Sequence, residues 1–426
     1  MSPAAGRMLV RAGKDPLEPM SAARSLSVRR DGVFGTNAGN MLFYTAAWRT
    51  LLTEDADLVA DGYATERQSS PQEAARINDE FDRVVIPLAN AFRRSFLPQL
   101  DRWTDVIRRL AVPVTVLGVG AQFPLTAGVD DAPAELRASV RAFVGAVLDR
   151  SPSIGVRGEF TREFLVSLGF DDGAIDVIGC PSLSGYGGDG SLAPRGELTP
   201  RSRLAVTYSP YLRDAGGFVR DVTAAFPDSY VVPQTVEALA LLLWGEPTRY
   251  AAKSELPETA AHALYREDRM RFFVDATTWI DTLRDRDLVV GTRVHGTIAG
   301  LLAGVPSILV AHDSRTRELA EFHAIPSVKK AALRRADLAR RYARADFGAF
   351  TAAHPRNVEV FRRFLERHGL AHTLGEVRPR FDRELDGIAL APAVRPPSAR
   401  EARTPRPLRD RLSRKVLRLS RGRLGR

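Results

Sequence analysis

The stretch Asp287-Leu-Val-Val-Gly-Thr-Arg-Val-His-Gly-Thr297 reads as a buried strand that stops at an arginine, a histidine and a glycine and continues as a helix. Residues 288–290 are apolar, as in a strand covered on both faces. Residues 298–302 resume an apolar spacing compatible with a helix, closed by Gly304 and Pro306. A helix start presents unpaired backbone N–H groups, which favour an anion. Beside it, Arg293 would supply a bidentate cation and His295 a titratable ring. The plain alternative is an arginine in a structural ion pair and a satisfied buried imidazole. The coincidence of strand end, turn and helix start favours a site for a phosphorylated or carboxylated small molecule.

Strands alternate with helices on both sides of this stretch, which predicts parallel sheets. After a disordered N-terminus over residues 1–27, a first α/β domain is expected over 28–185. It starts with a strand at 27–33, then the turn 34–40 and a helix through Leu42, Ala46, Ala47 and Leu51. Further strands are expected at 84–87, 114–119, 154–156 and 177–178, with helices at 134–148 and 160–168. A linker rich in Gly, Ser and Pro follows at 186–200. The second α/β domain, expected over 201–375, has strands at 204–208, 230–232, 288–290 and 308–310. Two such units face each other across a cleft, and ligands bind at the carboxyl ends of the strands. Residues 376–426 read as a Pro/Arg-rich tail.

Composition narrows the function. The chain has 426 residues, 44% of them hydrophobic, enough for two cores. A single cysteine, Cys180, excludes an internal disulfide and a cysteine-built metal cluster, and it fits a reducing, cytoplasmic setting. The start is no secretory signal, and Met20 is a second candidate for the first residue. The formal charge of +10 is concentrated at one end. Residues 395–426 carry 12 Lys+Arg against 2 Asp+Glu, leaving 49 charges of each sign in the rest. Leu408, Leu412, Val416 and Leu419 lie at helical spacing among these arginines, a disordered or helical basic tail suited to an anionic membrane surface. Nucleic acid is disfavoured, because no aromatic residue interleaves the arginines.

Several short blocks occur in a fixed order. They are Gly35-Thr-Asn-Ala-Gly-Asn40, Gly118-Val-Gly120, Ile154-Gly-Val-Arg157 with Glu159 and Leu165, and Gly179-Cys-Pro-Ser-Leu183. Gly291-Thr-Arg-Val-His-Gly296 with Gly304-Val-Pro306 follows, then His312-Asp313 with Arg315. Each is unspecific alone. Their order over residues 28–330 resembles the polysaccharide pyruvyl transferase family.

The resemblance implies a GT-B-like pair of Rossmann-like domains and phosphoenolpyruvate as co-substrate, with no metal and no resident cofactor. It implies transfer of a pyruvyl group to a sugar of a cell-surface polysaccharide or its lipid-linked precursor, as a ketal. Arg293 and His295 match the family's Arg-x-His and are expected to hold the donor's anionic groups or move a proton. Gly296 and Thr297 would add N–H groups and a hydroxyl, and Arg213 a second cation. Thr36, Asn37 and Asn40 would face the acceptor from the first domain. Asn40 stands where relatives carry Asp, and Arg315 where Lys is common. Outside the resemblance, the basic tail would hold the enzyme peripherally at the inner membrane face. A GT-B glycosyltransferase using a nucleotide sugar is the rival enzyme, and a non-catalytic glycan-binding protein the rival outside enzymes.

Overall fold

The computed structural model describes residues 6–28, 32–35, 37–193, 196–252, 255–329 and 335–397. Among these residues, nine of eleven strands form two main parallel sheets, each built by crossover connections, and the other two form a pair. The first comprises β1 (Arg7–Val10), β2 (Asp57–Ala60), β3 (Arg83–Pro87) and β4 (Val114–Leu117), in the order β2-β1-β3-β4. A bridge between Val119 and Val156 joins it to the pair β5 (Ile154–Val156) and β6 (Ile175–Val177). The second comprises β7 (Leu204–Thr207), β8 (Tyr230–Val232), β9 (Leu288–Gly291), β10 (Ser307–Ala311) and β11 (Ser327–Lys329), in the order β11-β10-β9-β7-β8. These are the two Rossmann-like halves that the alternating pattern implied. All pairings within both sheets are parallel. Strands β4, β7, β9 and β10 are buried over every residue, and β1 and β3 over all but their first, so both faces of each sheet are covered.

The N-terminus corrects the expectation of disorder over residues 1–27. Met8, Leu9 and Val10 are buried and form the inner strand β1, paired with β2 on one side and β3 on the other. A fully enclosed strand needs few residues, and three apolar ones between Arg7 and Arg11 leave no periodic signal. A strand at 27–33 is also absent among the described residues. Ser21 accepts a hydrogen bond from the Arg24 N–H and starts the helix Ala22–Ser27. Gly32 then takes a left-handed φ of 62°, which ends any extended run.

The other correction lies at the C-terminal end. Residues 347–397 do not stay with the second half, nor is 376–397 a free tail. The long helix Phe347–Arg367 and the short helix Arg380–Leu385 return to the first half. Arg83 donates to the His368 carbonyl at 2.7 Å, and Thr373 N–H to the Thr50 carbonyl at 2.9 Å. Arg49 forms a two-pronged bond to Asp382 at 2.6 and 2.8 Å. Val394 bridges back to Phe272 of the second half. The chain thus crosses twice between its halves, and these straps hold the two walls of the cleft. Residues 398–426, including the amphipathic segment 408–419, lie outside the described residues. No described helix is long and apolar enough to cross a membrane.

Candidate functional site

The carboxyl ends of β1, β3, β7, β9 and β10 open onto one polar cleft of about 550 Å³ between the halves. Its lining includes Arg11, Asn37, Asn40, Glu66, Arg93, Tyr211, Glu237, Arg249, Arg293, His295 and Arg315.

Arg293 occupies the cap position of the helix Val294–Leu302, directly after β9. Its Nε donates to the Tyr208 carbonyl at 3.2 Å and its Nη1 to the Tyr211 hydroxyl at 3.4 Å. The guanidinium also lies 5.1 Å from the centre of the Tyr211 ring. No carboxylate among the described residues forms an ion pair with it. Burial and the nearby Arg315 pull its pKa down, though a guanidinium stays charged. Burial alone would raise the Tyr211 phenol; Arg293, Arg315 and a hydrogen bond with Ser209 together bring it below its usual value.

His295, one residue into the helix, is 7% exposed, and its Nε2 has no hydrogen-bond partner among the described residues. Burial foremost, then the charges of Arg157, Arg315 and Arg293, drive its pKa well below the normal imidazole value. The free site therefore holds a neutral ring, which can accept a proton but adds no positive charge. Gly39 lets the first half come close: a Cβ there would sit 2.4 Å from His295 Nδ1. This contact gives the Gly-Thr-Asn-Ala-Gly-Asn turn its role. Its Ala38 N–H reaches the Gln234 carbonyl at 2.8 Å, tying the two halves together at the imidazole.

Other expected site residues fare unevenly. Asn37 and Asn40 line the cleft, but Asn37 Oδ1 accepts from Gly39 N–H at 2.7 Å and Asn40 Nδ2 donates to the Phe34 carbonyl at 2.8 Å. They shape the turn at least as much as they meet a ligand. Thr36 lies outside the described residues. The N–H groups of Gly296 and Thr297 are bonded to the Arg293 carbonyl, so they do not point at a ligand. Gly296 instead allows close packing, since a Cβ would meet Thr207 Cγ2 at 2.4 Å. Thr297 is fully buried behind it. Arg213 is exposed and outside the cleft lining; Tyr211, two residues earlier, takes the place assigned to it.

Two residues quoted only as parts of motifs belong to the site. Arg157 follows β5 and is fully buried. Its Nε donates to the Gly118 carbonyl at 2.8 Å, it lies 5.1 Å from the Phe43 ring centre, and neither Nη has a partner among the described residues. Burial lowers its pKa to about 10. Arg315, at the start of the helix Ser314–Phe322, reaches Asp313 at 3.3 Å, while its buried Nε is unpartnered. Like Arg293, Arg157 stands between the end of a fully buried strand and the start of a helix. Behind Arg157, Glu318 accepts from Thr161 N–H and hydroxyl, and burial raises its pKa to about 7. Gly120 leaves room for both, since a Cβ would lie 2.9 Å from Arg157 Cδ.

An unpaired buried guanidinium is costly unless a ligand compensates it. Among the described residues Arg293 pairs with no carboxylate, Arg157 has both Nη groups unpartnered and Arg315 shares Asp313, and the charges of all three act on one neutral imidazole. The arrangement can hold a small polyanion and present it to a proton-accepting ring. Among the described residues, no group of three or more His, Cys, Asp or Glu is placed to hold a metal.

Comparison with known proteins agrees with the ordered blocks. A model of the family described as polysaccharide pyruvyl transferase matches residues 37–314. No curated protein matches the sequence. Among solved structures, the chain is similar to HepE of Anabaena in complex with UDP-glucose, at 12% identity over 90% of this chain and 98% of that one, with a TM-score of 0.42. It is also similar to UDP-GlcNAc 2-epimerase from Neisseria meningitidis bound to UDP-GlcNAc, at 10% identity over 89% and 97% of the two chains, with a TM-score of 0.38.

Proposed function

The chain belongs to the polysaccharide pyruvyl transferase family, and from that premise we propose that its donor is phosphoenolpyruvate and its product a sugar bearing a cyclic pyruvate ketal. The acceptor in this reading is a sugar of a cell-surface polysaccharide or of its lipid-linked precursor. The observation that carries the proposal is the set Arg157, Arg293 and Arg315 around neutral His295. A phosphate and a carboxylate on one three-carbon donor bring about three negative charges, which Arg293 and Arg315 can meet with charge-assisted hydrogen bonds while buried Arg157 adds its charge from behind.

The chemistry follows from the donor. As the first sugar hydroxyl adds to C2, the imidazole takes its proton and passes it to the methylene carbon, so that C2 gains oxocarbenium-like character. A second hydroxyl displaces inorganic phosphate and closes the ketal. The two hydroxyl protons end on the new methyl group and on phosphate, so one group that cycles between neutral and protonated forms is sufficient. His295 is that group: its low pKa keeps it neutral in the free site, and it becomes basic enough to take the hydroxyl proton only once the arginines' charge is offset. Bound donor offsets the three arginines and raises the imidazole's affinity for a proton at the moment it is needed.

Calorimetric titration tests this. Wild-type protein should bind phosphoenolpyruvate, and Arg293→Ala should bind it about 100-fold more weakly, the loss of one or two charge-assisted bonds. Binding of a UDP-sugar in place of phosphoenolpyruvate would overturn the reading and make this a nucleotide-sugar enzyme.

The basic segment 395–426 would bring this enzyme to lipid-linked acceptor at an anionic membrane surface. Full-length chain should then sediment with phosphatidylglycerol vesicles and a chain ending at 397 should not; equal behaviour of the two removes the tail from the proposal.

A further inference from the structure

One cation of the cleft comes from the first half and has no ion-pair partner among the described residues. Five arginines line it: Arg11, Arg93, Arg249, Arg293 and Arg315. Arg11 is paired with Glu66 and Arg249 with Glu237. Arg293 and Arg315, at strand ends of the second half, are assigned to the donor. Arg93 is left. It forms no ion pair with any carboxylate among the described residues.

Arg93 is also held ready. It lies on the loop between β3 and the turn Arg94–Phe96, at the carboxyl end of the first sheet. Its Nη1 donates to the Asn90 carbonyl at 2.7 Å and its Nε to Ser95 Oγ at 3.0 Å. The guanidinium lies 5.4 Å from the Phe96 ring centre. Three contacts thus fix the plane of the group and leave Nη2 uncommitted. Within the same cleft it feels the repulsion of Arg315, and burial together with that charge lowers its pKa to about 10. A fixed cation that repels its neighbour and has no counter-charge is unfavourable in the empty protein, and an anion removes the penalty.

We propose that Arg93 is an acceptor-side anion site, so that the sugar receiving the pyruvyl group carries its own acidic group, a carboxylate or a phosphate, close to the hydroxyls that are ketalised. This rests on the phosphoenolpyruvate reading above and narrows its acceptor class. Arg93 comes from the first half, across the cleft from the strand end that carries Arg293, which is where an acceptor must enter to meet a donor held by the second half. The Asn90 side chain donates to Gln122 at 2.8 Å, and Gln122 to Asp313 at 3.1 Å, so the acceptor side is mechanically linked to the Asp313–Arg315 pair.

The test uses the full chain saturated with phosphoenolpyruvate and titrates three probes by calorimetry. Methyl β-glucuronide carries a carboxylate, UDP-N-acetylglucosamine a diphosphate, and methyl β-glucoside is the neutral control. One acidic probe should bind at least tenfold tighter than the glucoside, and which of the two does so identifies the source of the anion. Arg93→Gln should weaken that probe about tenfold while phosphoenolpyruvate affinity stays within twofold and the melting temperature does not fall. Equal binding of acidic and neutral probes, or no binding of either acidic probe, overturns the inference. So does a tenfold loss of phosphoenolpyruvate affinity in Arg93→Gln, which would place Arg93 on the donor. Failure of the wild type to bind phosphoenolpyruvate at all is a different result, and it counts against the donor reading.

Discussion

Two strand ends in this molecule place an arginine on the same cleft and treat it in opposite ways. After β1, Arg11 is matched by Glu66, and its Nη1 donates to the Pro87 carbonyl at 2.8 Å. After β9, Arg293 meets a backbone carbonyl and a phenol and pairs with no carboxylate among the described residues. Position and residue type are alike; only the neighbours differ. A matched guanidinium holds shape, because its charge is already spent on the protein. An unmatched one is tolerated in a folded chain when a ligand completes it.

The comparison breaks most completely if β1 itself is removed. A chain beginning at Met20 loses the strand between β2 and β3, and with it the pairing partner of both. Such a chain should show no cooperative thermal transition, whereas full-length protein should melt cooperatively by circular dichroism. A cooperative melt of the shortened chain would mean that the first sheet closes without β1.

Next in size is a matched pair of substitutions. Arg11→Met strands a part-buried Glu66 carboxylate and should cost about 3 kcal/mol in denaturant unfolding. Arg157→Met removes a guanidinium that has two unpartnered amino groups, so stability should hold or rise while phosphoenolpyruvate binding is lost. If both variants lose stability alike, unmatched charge is not what distinguishes a ligand group from a structural one here.

A smaller effect sharpens the same contrast for histidine. His323 is as buried as His295 but satisfied: its Nε2 accepts from Cys180 N–H at 2.8 Å, and burial, then His354 and Arg157, lower its pKa to about 3. A lowered folded-state pKa means stability that is full above the unfolded value near 6.5 and drains away as pH falls toward about 3, because only the unfolded chain takes the proton. The advantage of wild type over His323→Gln should therefore shrink by about 1 kcal/mol between pH 6.5 and 5.5. An advantage independent of pH would show that the ring is not held neutral.

Legibility in the sequence followed burial pattern. Strands β3, β4, β5, β7, β8, β9 and β10 were readable as short apolar runs bounded by turn residues. β1 and β2 were not, since β1 offers only three apolar residues and β2 alternates too briefly to show a period. At the site, Arg293 and His295 were legible because strand end, turn and helix start coincide there. Arg157 sits in the same context after a three-residue strand and was quoted only as part of a motif. Arg213 was chosen by proximity in sequence to a strand end, and the loop places Tyr211 in the cleft instead.

The sequence by itself determined the alternation of strands and helices, the two parallel sheets, the family, and the placing of Arg293 and His295 at a strand end where a helix begins. These are local properties, written in residue type and spacing. Which arginines lack a partner, that His295 is neutral, and that Gly39 of one half touches the imidazole of the other were decided only by tertiary structure. Each depends on charges and atoms distant in the chain. Arg157, Arg293 and Arg315 come from three separate strand ends, and their shared field on one ring exists only once both halves are packed together.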